Sequence, residues 1–194
     1  MQFIGIDPGK AGGIASMLFD GSEVHTWKMP ETVKDLAGLF TQLSTHSAYP
    51  RENNDIWHTI VCCMEIVASR PGQSVRSMFT FGQHYGQLEM AVVSHGLRLE
   101  RVRPQEWQKT FQLITGKEVT KTKKKNKHKA RAQELWPDIT VTHALADALL
   151  ICEWCRQQNM KPPPAKPATN HHTGRSMSRE QVRKRHARIM EGKE

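Results

Sequence analysis

The chain has no apolar run approaching the length of a membrane span, which takes about 20 predominantly apolar residues, and it has few aromatics and only four cysteines. The first absence argues against a membrane partner. The opening residues run straight into a strand-like pattern, so no signal or transit peptide is expected there. The cysteines do not form a disulfide framework: Cys62 and Cys63 are adjacent in an apolar run, and Cys152 and Cys155 lie in a helical one. "CEWC" at 152–155 has zinc-like local spacing, yet thiols set in apolar segments behave as small hydrophobes. The expectation is packing, in a thiol-reducing interior. No internal repeat is evident. Acidic residues are also short: 19 Asp and Glu stand against 28 Lys and Arg among 194 residues, a net charge of +9.

That excess is not spread evenly. Residues 117–131, "KEVTKTKKKNKHKAR", carry eight basic residues and one acid, net +7. Residues 161–194 carry nine basic residues and three acids, net +6, which leaves a slightly acidic remainder. Two segments of one sign on an acidic body point to a polyanionic partner, most simply nucleic acid.

Turn residues divide the first third. "QFIGID", "GGIASMLF" and "SEVHTWKM" read as three antiparallel strands, separated by "PGKA" and "DG". Val33, Leu36, Phe40 and Leu43 then recur near helical spacing. "WHTIVCCMEIV" is an apolar, β-branched run suited to a strand buried on both faces. "VRSMFTFGQHYGQLEMAVVSHG" reads as a helix closed by Gly96, with Gly82 and Gly86 spaced for close helix packing. "LRLERVRP" is a short strand, and "PQEWQKTFQL" a helix with Pro104 in its first turn. After the lysine-rich segment come a helix over "KHKARAQELW" and a last one over "THALADALLICEWCRQQ", with Thr142 as N-cap and an apolar stripe of Leu145, Leu149, Ile151 and Cys152. The order predicts an α/β domain with a mixed sheet over 1–160. A Pro-rich flexible linker, 161–177, and a basic helical tail, 178–194, follow it.

The placement of the acids carries the chemistry. Asp7 ends the first strand, and Glu65 nearly ends the buried fourth. Asp147 sits in the apolar last helix, with His143 four residues earlier on the same face. Asp7 in "DPG" has an ordinary explanation as a turn former, Asp147 as a partner of a buried arginine, and His143 as a satisfied helix histidine. Glu65 is harder to explain, because an isolated Glu in so apolar a strand needs a charged partner. Neighbouring first and fourth strands would point Asp7 and Glu65 to one place, and a helix across that end would add His143 and Asp147. Clustered carboxylates repel, and a divalent cation with oxygen ligands, Mg²⁺ or Mn²⁺, removes that cost.

At these residues the chain resembles the RuvC-like Holliday junction resolvases, in particular the shorter phage-type members of the ribonuclease H-like nuclease superfamily. "FIGIDPGKAGGIA", "MEIVASRPGQSVRSMFTFGQHYG", "VRPQEWQK" and "HALADALLICEW" are similar to the family's successive motifs across about residues 2–157. The resemblance implies a ribonuclease H-like sheet of about five strands, the first three antiparallel, flanked by helices. It implies that Asp7, Glu65, His143 and Asp147 are catalytic and metal-binding, holding two Mg²⁺ or Mn²⁺ ions. It implies a homodimer that cuts opposing strands of a four-way junction in the cytoplasm of a bacterium or a phage-infected host, leaving 5′-phosphate and 3′-hydroxyl ends. DNA contacts would fall to Lys121, Lys123, Lys124, Lys125, Lys127, Lys129 and Arg131. Two features depart from the family pattern: His143 stands where Asp is frequent, and the loop after Glu65, "IVASRPGQ", holds no aromatic.

Three other readings compete. An actin-like or sugar-kinase ATPase also begins with Asp-x-Gly and a Gly-Gly turn, but it needs a second glycine-rich phosphate motif and a two-lobed length. A noncatalytic nucleic-acid-binding protein would be expected to have lost an acid. A nuclease of the same superfamily acting on general branched DNA, flaps or RNA–DNA hybrids shares every motif.

Overall fold

The computed structural model describes residues 1–45, 60–68, 72–116 and 118–160. Ten elements follow one another: β1 (Gln2–Asp7), β2 (Gly13–Leu18), β3 (His25–Lys28), α1 (Val33–Thr45), β4 (Ile60–Glu65), α2 (Val75–Ser94), β5 (Arg98–Val102), α3 (Pro104–Thr110), α4 (Lys121–Leu135) and α5 (His143–Asn159). The linker and tail expected over 161–177 and 178–194 lie outside the described residues.

The strands form one mixed sheet in the order β3-β2-β1-β4-β5. β1 pairs antiparallel with β2, and β2 antiparallel with β3. β4 joins the other edge of β1 in parallel, and β5 joins β4 in parallel. This is the five-stranded mixed sheet, its first three strands antiparallel, expected from the resemblance, with helices on both faces.

Side-chain alternation divides the core in two. Phe3, Ala15, Met17, Val61 and Cys63 face α5 and Trp107 of α3. Ile4, Ile6, Ile14, Cys62 and Met64 face Leu36, Phe40 and Leu43 of α1 and Leu88 and Val92 of α2. Burying both faces explains why β1 and β4 read as nearly continuous apolar runs. All four cysteines are free and buried within these layers, Cys152 Sγ lying 3.2 Å from the Phe3 carbonyl oxygen. They are core residues.

Two expectations need correction. The lysine-rich segment is itself helical: α4 begins at Lys121, because Thr120 Oγ1 accepts from Lys123 N at 3.3 Å and caps the first turn. Lysine is also a good helix former. The second concerns Gly82 and Gly86. A Cβ built on either meets no atom within 4 Å, so among the described residues they mediate no close helix packing.

Candidate active site at the carboxyl ends of β1 and β4

Strand parity sets the direction of the two sheet acids. Asp7 lies four residues beyond Phe3, and Glu65 four beyond Val61, so both project onto the face that α5 covers. The β1–β4 register ends at Ile6 opposite Met64, which makes Asp7 and Glu65 the next residues of adjacent parallel strands.

The sheet glycines bring α5 down to meet them. A Cβ at Gly5 would stand 2.3 Å from both Ala148 O and Cys152 N, and one at Gly13 would stand 2.8 Å from Ala144 O. Contacts so short mean that α5 rests on strand backbone with no side chain between. Asp147, one residue before Ala148, is thereby set over the end of β1. The β1–β2 turn is equally tight. Gly9 has φ +120°, Gly12 N donates to Gly9 O at 3.0 Å, and a Cβ at Gly12 would lie 2.1 Å from Asp7 O. Only glycine leaves room at position 12, so this turn holds Asp7 in place from behind.

The electrostatics agree with this placement. Burial pushes the Asp7 carboxyl well above the usual carboxylate range, the negative charges of Asp147 and Glu65 raise it further, and Lys125 of α4 opposes the rise. Three acids and one lysine thus act on one another at the carboxyl end of the central strands.

Residues of α4 hold the α5 side chains. His128 Nδ1 lies 2.7 Å from Asp147 Oδ1, and the His143 Nε2 lies 2.9 Å from Asn126 Oδ1. Asp147 is partly buried, while His143 is exposed at the first turn of α5. Among the described residues, no three His, Cys, Asp or Glu side chains come together closely enough to hold a metal ion. Glu65 and Asp147 therefore converge on Asp7 without closing into a ligand shell, and His143 is engaged with α4.

The basic residues of α4 do not share one role. Lys121, Lys123 and Lys129 are exposed, and Lys124 and Lys125 are half-buried, Lys125 acting on Asp7. Lys127 Nζ donates to Gln112 O at 2.6 Å, and Arg131 pairs with Glu134 at 2.7 Å. Sequence reasoning missed His128 and Asn126. A signal was present for His128: His128, Ala132 and Leu135 form the only weakly polar i, i+4, i+7 series in an otherwise charged helix. Nothing comparable marked Asn126.

No protein-family model and no curated protein matches the sequence. Among solved structures, the chain is similar to a Thermus thermophilus RuvC in complex with a Holliday junction substrate, with 15% identity over 78% of this chain and 90% of that one, at a TM-score of 0.49. A second Thermus thermophilus RuvC structure gives 16% identity over 78% and 91%, at 0.46. The yeast mitochondrial Holliday junction resolvase Ydc2 gives 16% identity over 80% and 78%, at 0.40.

Proposed function

We propose that this chain is a divalent-metal-dependent endonuclease that resolves four-way DNA junctions. The observation that carries the reading is the placement of Asp7 and Glu65 as the next residues of adjacent parallel strands, with Asp147 of α5 seated over the end of β1. Acids gathered in one place repel one another, and a cation bound among them would relieve that repulsion.

The donor set fits a hard cation. Three carboxylates from β1, β4 and α5 supply oxygen ligands suited to Mg²⁺ or Mn²⁺. Asp7, Glu65 and Asp147 would hold the metal, with His143 of the same helix as a fourth ligand, for two ions per site. Bound there, the ions would supply activation of a water and stabilisation of the leaving oxygen of a phosphodiester, which would leave 5′-phosphate and 3′-hydroxyl ends.

The chain's own residues then bind and orient DNA. Lys125, beside Asp7, offers positive charge to the phosphate that is cut. The exposed Lys121, Lys123 and Lys129, with Lys124, contact neighbouring phosphates, fixing position without reading sequence. The proposed active unit is a homodimer, because a resolvase must cut two opposing strands. An exposed stripe on α2 supports this reading: Val75, Phe79, Gly82, Gly86, Met90 and Val93 recur at helical spacing, with Val75 85% and Phe79 73% exposed. Its two glycines would let the partner's α2 approach closely. Four free thiols are consistent with a reducing cytoplasm.

The test is cleavage of synthetic substrates side by side: four-way junction, flap, Y-form, RNA–DNA hybrid and linear duplex, each with Mg²⁺ or Mn²⁺. Preferred, metal-dependent cutting of the junction, abolished by Asp7→Asn, is expected. Preference for the flap or hybrid would give the same catalytic centre a different substrate. Equal rates on linear duplex would overturn the resolvase reading, and no cleavage at all would make the chain a binding protein.

A further inference from the structure

We propose that His128 is a positioning residue for Asp147, holding one carboxylate oxygen so that the other is left for the metal. The inference rests on the reading of Asp147 as a metal ligand.

His128 is 8% exposed in a helix rich in exposed lysines. Its ring is fixed on two sides. Nδ1 meets Asp147 Oδ1 at 2.7 Å, and the ring packs edge-on against Trp107, with centroids 5.3 Å apart and planes at 76°. Trp107 is fully buried in α3, so the wall behind the imidazole is part of the packed core. An ionised carboxylate only accepts, so the proton of this bond resides on His128 Nδ1. A rigid donor against Oδ1 restricts rotation of the Asp147 carboxylate about its last bond. The same helix engages His143 through Asn126. α4 therefore orients both α5 members of the site, in addition to carrying the cationic surface that its composition announces.

Outer partners of this kind are worth about 10- to 100-fold in metal affinity. The experiment is calorimetric titration of the full-length protein with Mn²⁺ in the absence of DNA. His128→Ala is expected to weaken binding by about 10- to 100-fold. His128→Asn, whose side-chain NH₂ reaches the place of Nδ1, is expected to recover most of that loss. In an Asp147→Asn background, His128→Ala is expected to change affinity less than about twofold, because its effect passes through the carboxylate. His128→Ala binding like the wild type would overturn the proposal, as would equal losses with and without the Asp147 carboxylate. Should His128→Ala not fold, His128→Gln serves instead: its amide matches the other ring nitrogen, so it is expected to bind weakly, and wild-type binding would overturn the proposal. Failure of the wild type to bind Mn²⁺, or indifference of binding to Asp7→Asn, would remove the metal site and this inference together. Intact binding that ignores His128 would remove the inference alone.

Discussion

Gly5 lies directly under Ala148: a methyl group at Gly5 would come within 2.3 Å of the Ala148 carbonyl oxygen. Together with Gly13 under Ala144, this close approach sets the height of α5 over the sheet and so the placement of Asp147 relative to Asp7. Gly5→Ala is expected to lift the helix. Overpacking of this kind costs about 1–3 kcal/mol or more, here against backbone that cannot rotate away. Urea denaturation should show the loss. Cleavage should fall further than stability explains, because the acids are pulled apart.

The raised Asp7 carboxyl makes a signed prediction for the metal-free protein. The unfolded chain ionises Asp in the ordinary range, about 3.9, and the folded chain higher. The associated stability is fully present below the unfolded value and is lost as pH rises through the folded one. Metal-free protein should therefore lose stability as the pH is raised from acid toward neutral through this group. Asp7→Asn should remove that limb and raise the neutral-pH Tm by a few degrees, since about 1 kcal/mol moves Tm by about 2–4 °C in a domain of this size. Thermal melts against pH in chelator measure it. A lower Tm for the variant would contradict the crowding of acids.

The α4 lysines should separate by environment. Each phosphate contact contributes about 0.9 to the slope of log affinity against log salt on duplex DNA. Replacing the exposed Lys121, Lys123 and Lys129 with Gln should lower that slope by about 2–3 for junction binding without metal. Lys127 and Arg131 already have partners in Gln112 and Glu134. Their double replacement should change the slope by less than about 1.

The exposed stripe of α2 predicts assembly. The wild-type protein should sediment as two 22.1 kDa chains. Phe79→Asp with Met90→Asp places charge at 73% and 65% exposed positions. It should give folded monomers, which nick junctions on one strand without resolving them. A monomeric wild type would remove this surface from the proposal.

The basic residues beyond 160 should add affinity that ignores DNA structure. Deleting 161–194 should weaken junction and duplex binding alike at low salt, by fluorescence anisotropy. Unchanged affinity would show that the tail has no part in binding.

Much of the fold was legible because both sheet faces are buried. Continuous apolar runs with glycine turns between them marked β1, β2 and β4, and the acids stood out at their ends. The helical character of 121–126 was not legible as such, since its charge density resembled a solvated loop; a single cap at Thr120 decides it. Gly82 and Gly86 read as packing glycines, but among the described residues nothing comes within 4 Å of a Cβ built on either.

By itself the sequence determined which residues carry charge at strand ends, and through the two-residue period that Asp7 and Glu65 share a face provided β1 and β4 are neighbours. Only the tertiary structure decided what completes that face. His128 and Asp147 are 19 residues apart and meet only because α4 crosses α5. Lys125 acts on Asp7 across 118 residues of chain for the same reason. Periodicity is a property of one element, whereas a contact between two helices depends on how closely each can approach its neighbours, and here the glycines of β1 and β2 set that approach for α5.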